Sequence, residues 1–213
     1  FREDLNQFRS MPLYGPGHAT RVYAMDERPG INFAPGPVQH TGRDLDIAID
    51  GDGWFVVQAE DGGEAYTRNG SLSIGPGGVL MSGAGRPLMG DNGPIALPPA
   101  ESITIGRDGT ISIRPMGQSA QTLVQVGRLK LVNPPRADLV KGEDGLVRVR
   151  DGGFATPDVN VRLRQGALEG SNVNPVQAMV EMINLQRQYE MQVKMMKTAN
   201  DNAEAAESLL RIG

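Results

Sequence analysis

Asp44, Asp46, Asp50 and Asp52 crowd around Gly51 and Gly53, and carboxylates at that density are the donors a calcium ion takes. An EF-hand loop needs oxygen ligands at its first, third and fifth positions, Gly at the sixth and Glu at the twelfth. Counted from Asp46, the third position is Ala48 and the twelfth is Val57, so the ligand set is broken. Alternation instead puts Asp46 and Asp50 opposite Leu45, Ile47 and Ile49, which predicts solvent-facing strand residues followed by a Gly51-Asp52-Gly53 bend. Acid–base chemistry would fall to His18 or His40, but both lie in a Pro/Gly-rich stretch with no strand end to hold them. Gly75-Pro76-Gly77-Gly78 has the glycines of a phosphate loop without its Lys-Ser/Thr or a following helix. These residues predict no catalytic centre, no bound metal and no cofactor.

Composition narrows the remaining classes. With no Cys in 213 residues, thiol nucleophiles, Cys-ligated zinc and disulfide scaffolds are excluded. A net charge of −4 argues against a nucleic-acid partner, which would require a clustered basic surface. No segment approaches the roughly 18 uninterrupted apolar residues of a membrane-spanning helix, so no membrane insertion is expected.

The elements that carry these residues fall into three zones. Residues 1–43 hold Pro12, Gly15-Pro16-Gly17, Pro29-Gly30 and Pro35-Gly36-Pro37 and read as an extended arm with turns. Residues 44–168 alternate with period two in short runs, among them Trp54 to Val57, Ala65 to Arg68, Ile103 to Ile105, Ile111 to Ile113 and Val159 to Leu163. Asp61-Gly62, Asn69-Gly70, Asp108-Gly109, Asp144-Gly145 and Asp151-Gly152 punctuate them as hairpin turns would. Short, frequently broken strands predict an antiparallel β domain, a barrel or sandwich, with Trp54 buried in it.

Residues 169–213 form the third zone, in which Asn174, Pro175 and Gln177 specify a helix start with a capping-box spacing. Met182, Tyr189, Met196, Ala203 and Leu210 recur every seven positions, with Leu185, Ala199 and Ala206 in the companion row and Gln192 interrupting it. That repeat predicts a coiled-coil seam, an assembly interface in a helix too long to lie wholly on its own β domain. Met179, Met182, Met191, Met195 and Met196 give it a soft surface that adapts to non-identical neighbours.

Gln39-His-Thr-Gly-Arg-Asp-Leu-Asp-Ile-Ala-Ile-Asp-Gly-Asp-Gly-Trp-Phe-Val-Val57 resembles a segment of the bacterial flagellar rod and hook family. Tyr66-Thr-Arg-Asn-Gly70, Val126 to Leu131, Gln165 to Val173 and Met179 to Glu190 resemble further family signatures in the same order, and together they cover most of residues 39–212. The resemblance marks Leu45, Asp46, Ala48, Ile49, Gly51, Gly53, Trp54, Tyr66, Thr67, Arg68, Gly70, Ser171, Asn172, Val173, Gln186 and Arg187 as family-motif positions of structural weight. Trp54 and the Pro175 that follows Ser-Asn-Val-Asn place the chain nearest the proximal-rod branch, with the distal-rod branch second.

The resemblance implies a structural subunit without catalysis. It implies export through the flagellar type III apparatus and a periplasmic rod built from copies of this chain and other axial proteins. It also implies a helix ahead of Phe1, pairing with the C-terminal one. Two readings from other classes compete: a secreted β-domain enzyme, which needs clustered carboxylates in a cleft, and a calcium-dependent adhesin with a coiled-coil stalk.

Overall fold

A computed structural model of the chain describes residues 2–12, 22–117 and 122–210. By internal contacts the chain divides into two compact units, Phe1–Asn172 and Val173–Gly213. The first is built of antiparallel strands and the second of one helix, Pro175–Leu210, so the fold is mainly β with a long terminal helix. The described strands close no barrel, and their stacked sheets are sandwich-like.

The largest sheet has five strands in the order Leu131–Val132, Trp54–Gln58, Glu64–Thr67, Val147–Val149 and Leu139–Lys141. Its strand Trp54–Gln58 explains why four apolar residues run without a polar break. Phe55 and Val57 enter one core, with Ile47, Leu72, Leu88, Ile111 and Leu131. Trp54 and Val56 enter another, with Tyr66, Val132, Leu139 and Val147. Side chains alternate across a strand, so a strand packed on both faces needs apolar residues at every position.

The hairpin read at 103–113 forms as expected, with Ile103 opposite Ile113 and Ile105 opposite Ile111 in a three-stranded sheet with Val124–Arg128. The arm holds more structure than its prolines suggest. Asp4–Pro12 and Val22–Ile31 pair as an antiparallel hairpin, with a register shift between Leu5 and Gln7.

Two expectations need correction. Asp46 does not face solvent: it is 1% exposed, as is Ala48, beside Ile47 at 0% and Ile49 at 2%. The strand Ile47–Asp50 pairs with Arg162–Gln165 along one edge, and along the other the Ile47 N–H donates to the Gly70 carbonyl and Asp46 bridges to Ser71, so the strand is flanked on both edges and its residues from Ile47 to Ile49 are all buried. The Asp46 carboxylate meets Arg43 at 3.3 Å. Asn69-Gly70, in turn, is no positive-φ turn, since Gly70 is absent from the left-handed glycines that include Gly62, Gly109, Gly145 and Gly152.

Gly70 is required by proximity instead. A Cβ there would lie 1.7 Å from the Ile47 carbonyl oxygen, a backbone atom that cannot step aside while the Ile47 N–H donates to the Gly70 carbonyl at 2.9 Å. Gly70→Ala must pry apart two segments of the main core, and we expect it to cost about 3 kcal/mol, the upper end of overpacking. The check is a fall in the urea midpoint at unchanged m-value.

Candidate functional site

The four aspartates that suggested a metal serve separate partners. Asp50 pairs with Arg164 at 3.3 Å, Asp52 with Arg136 at 2.8 Å, and Asp46 with Arg43. At Asp44 the backbone carbonyl accepts from the Gln165 amide. Among the described residues no three His, Asp or Glu side chains gather as a metal site would require. His40 ends the exposed strand Val38–His40, opposite Ala167, while His18 lies outside the described residues.

Where family-motif residues do converge is around Trp54. The Arg68 Nη1 donates to Glu169 at 2.7 Å and its Nη2 to the Gly51 carbonyl at 2.5 Å. Arg2, from the arm, donates to the other Glu169 oxygen at 2.5 Å and also to the Ala34 carbonyl. That Glu169 oxygen takes the Gly36 N–H as well, at 2.9 Å. The guanidinium carbons of Arg2 and Arg68 lie 5.9 and 5.7 Å from the Trp54 ring centroid, and Phe33 meets that ring edge-on at 5.7 Å.

These charges are nearly dry, with side chains 11% exposed at Arg2, 8% at Arg68 and 3% at Glu169. Burial lowers the Arg68 proton affinity below the usual guanidinium value, Glu169 works against that, and Arg2 adds to it. The cluster therefore holds two cations on one carboxylate. Alongside it Asn172 accepts the Glu3 N–H at 2.9 Å and donates to the carbonyls of Asn32 and Ala34. Asn32 closes the circle onto the Glu3 carboxylate at 2.8 Å.

The other motif positions divide by location. Leu45, Ala48 and Ile49 belong to the strand Ile47–Asp50 or its approach, and Leu45 packs on the main core. Tyr66 is buried in the second core, where its hydroxyl accepts the Ala155 N–H at 2.8 Å. Burial raises its phenol above the ordinary range. The Thr67 hydroxyl accepts the Asn69 N–H, fixing the chain after the strand Glu64–Thr67. Gly53, at φ 133°, lies against the Val161 side chain. Ser171 is exposed and Val173 half-buried at the unit boundary. No local sequence pattern marks Glu169, Arg2 or Phe33, and the Glu169 charge buries against partners 101 and 167 residues away.

The helix is capped as read: the Asn174 Oδ1 accepts from the backbone of Val176 at 3.0 Å and of Gln177 at 3.3 Å. Its capping box does not close, because the Gln177 side chain donates forward to Glu181. Met182, Leu185, Tyr189 and Met196 are 68, 51, 67 and 65% exposed. Ala199, Ala203 and Ala206 are exposed too, and the side chain of Leu210 lies outside the described residues. Gln186 ties to Glu190 on the helix surface, and Arg187 is exposed. Apolar exposure extends beyond the two heptad rows to Met179, Val180, Ile183, Met191 and Met195. No described helix is long and apolar enough to cross a membrane. A helix with apolar groups on several sides completes its packing by taking neighbours on several sides.

Comparison with known proteins agrees with this architecture. Residues 164–209 match the family described as flagellar basal body rod FlgEFG protein C-terminal, and residues 48–113 match the flagellar hook protein FlgE/F/G D1 domain. The chain is 42% identical to the flagellar basal-body rod protein FlgF of Salmonella typhimurium, across 99% of this chain and 86% of that protein. It is 43% identical to FlgF of Escherichia coli over the same shares, and 39% identical to FlgF of Caulobacter vibrioides over 92% and 78%. FlgG of Buchnera aphidicola is 34% identical over 79% of this chain and 66% of that protein. On identity and coverage together, the chain belongs to the flagellar basal-body rod protein FlgF family.

Proposed function

We propose that this chain is a structural subunit of the proximal rod of the bacterial flagellar basal body, part of the axial drive shaft that transmits torque, and that it performs no catalysis. The observation that carries the reading is likeness to FlgF rod proteins over nearly the whole chain. The long helix with exposed apolar side chains supports it, since such a surface is unstable in isolation and useful in a polymer. Its partners are copies of itself and other axial rod proteins. The subunit reaches the periplasm through the flagellar export apparatus.

Within that reading the helix seam is Met182, Leu185, Tyr189, Met196, Ala199, Ala203, Ala206 and Leu210. The arm 1–43, the β domain 44–168 and the helical segment 169–213 are its working parts. A distal-rod role is the second reading, favoured by the likeness to FlgG, which is lower in both identity and coverage. The test is deletion in the bacterium that carries the chain. Loss of swimming and of external hooks, restored by the full-length protein, supports the reading. Normal hooks and motility without it would overturn it.

A further inference from the structure

We propose that Glu169 is a latch that fixes the direction of the arm hairpin against the rest of the first unit. The hairpin Asp4–Pro12/Val22–Ile31 is gripped at its root, where both of its ends enter one cluster. Residues Arg2 and Glu3 lead into its first strand, and Asn32, Phe33, Ala34 and Gly36 lead out of its second. All but Phe33 bond to Glu169, to Asn172 or to each other, while Phe33 and Arg2 lie on the Trp54 ring. A further tie at the root joins Asp4 to Lys141 at 2.8 Å, on the edge strand of the five-stranded sheet.

Glu169 is decisive because of charge. Its carboxylate is the anion between two buried guanidiniums that face the same aromatic ring, so removing its charge leaves two cations together in a nearly dry site. The arm, which brings Arg2, is the element able to relieve that repulsion by leaving. Arg68 cannot leave, since it follows a central strand of the sheet and is bonded to the Gly51 carbonyl. The latch therefore couples arm docking to completion of the β domain: its three charged members come from residues 2, 68 and 169 and meet only once the sheet and the strand Ala167–Glu169 are in place. This geometry stands independently of the rod reading. Its use, presenting the arm to neighbours in one direction only from a folded subunit, rests on that reading.

An isolated two-stranded hairpin is marginal in water, so an open latch reads out as amide exchange. In the purified chain, Glu169→Gln and Arg2→Met should each speed exchange across 4–12 and 22–31 by about tenfold or more, while 54–58 and 64–67 exchange as in the wild type. Because both variants break one coupled unit, Arg2→Met/Glu169→Gln should open the arm no further than Glu169→Gln does. Unchanged arm exchange in Glu169→Gln would overturn the proposal. So would exchange rising equally in the five-stranded sheet, which would make Glu169 an ordinary core residue. These outcomes are read on purified protein and do not depend on whether the chain enters a rod.

Discussion

Cells whose copy of this chain carries Tyr189→Glu should export the subunit, keep its β domain folded, and yet build no complete flagella and not swim. Tyr189 is 67% exposed, so a carboxylate there meets water in the free chain and costs the fold nothing measurable. In a polymer the same position lies in the middle of the proposed seam, between Met182 and Met196, where the new charge would have to shed water without a partner. Each subunit repeats the penalty, so a few kcal/mol per contact suffices to abolish growth of the rod. Gln188→Glu serves as the control, because it adds the same charge at a position already polar, and it should be much milder. Normal motility of Tyr189→Glu at normal expression would refute the seam, and loss of the folded β domain would show Tyr189 to be a packing residue.

Trp54→Ala should have the largest effect on stability. Trp54 is 6% exposed, lies in the second core with Val56, Tyr66 and Val132, and is the surface on which Phe33, Arg2 and Arg68 rest. Truncation removes a large buried side chain and leaves a cavity beneath two cations, so we expect a loss of about 3–5 kcal/mol. Thermal and urea unfolding of the purified chain measure it. The arm should loosen before the sheet melts, since the ring carries the arm's root. A loss under about 1 kcal/mol would mean the second core closes without the indole.

The parts legible from sequence were those fixed by local chemistry. The Ile103–Ile113 hairpin announces itself by alternation around Asp108-Gly109, and the helix start by Asn174 and Pro175, whose roles depend on residues within one turn. Burial of Asp46 was not legible. Alternation predicts one buried and one solvated face, whereas here Asp46 to Ile49 are buried at every position in a strand flanked on both edges, by Gly70–Ser71 and by Arg162–Gln165. Asn69-Gly70 has the composition of a turn dipeptide, yet what requires Gly70 is the backbone oxygen of Ile47, far earlier in the chain. The arm hairpin was hidden by prolines and glycines that read as breakers, although Pro12 sits at a strand end, where a missing N–H is tolerated. The charge cluster at Glu169 joins residues too far apart in sequence for spacing to betray them.

The central claim, that this chain is a building block of the flagellar rod, is tested most directly by quantitative mass spectrometry of basal bodies purified from the bacterium that carries it. The account predicts peptides from both the β domain and the terminal helix, in fixed ratio to other rod proteins and retained after the outer rings are stripped away. Intact, complete basal bodies containing none of this chain would contradict it.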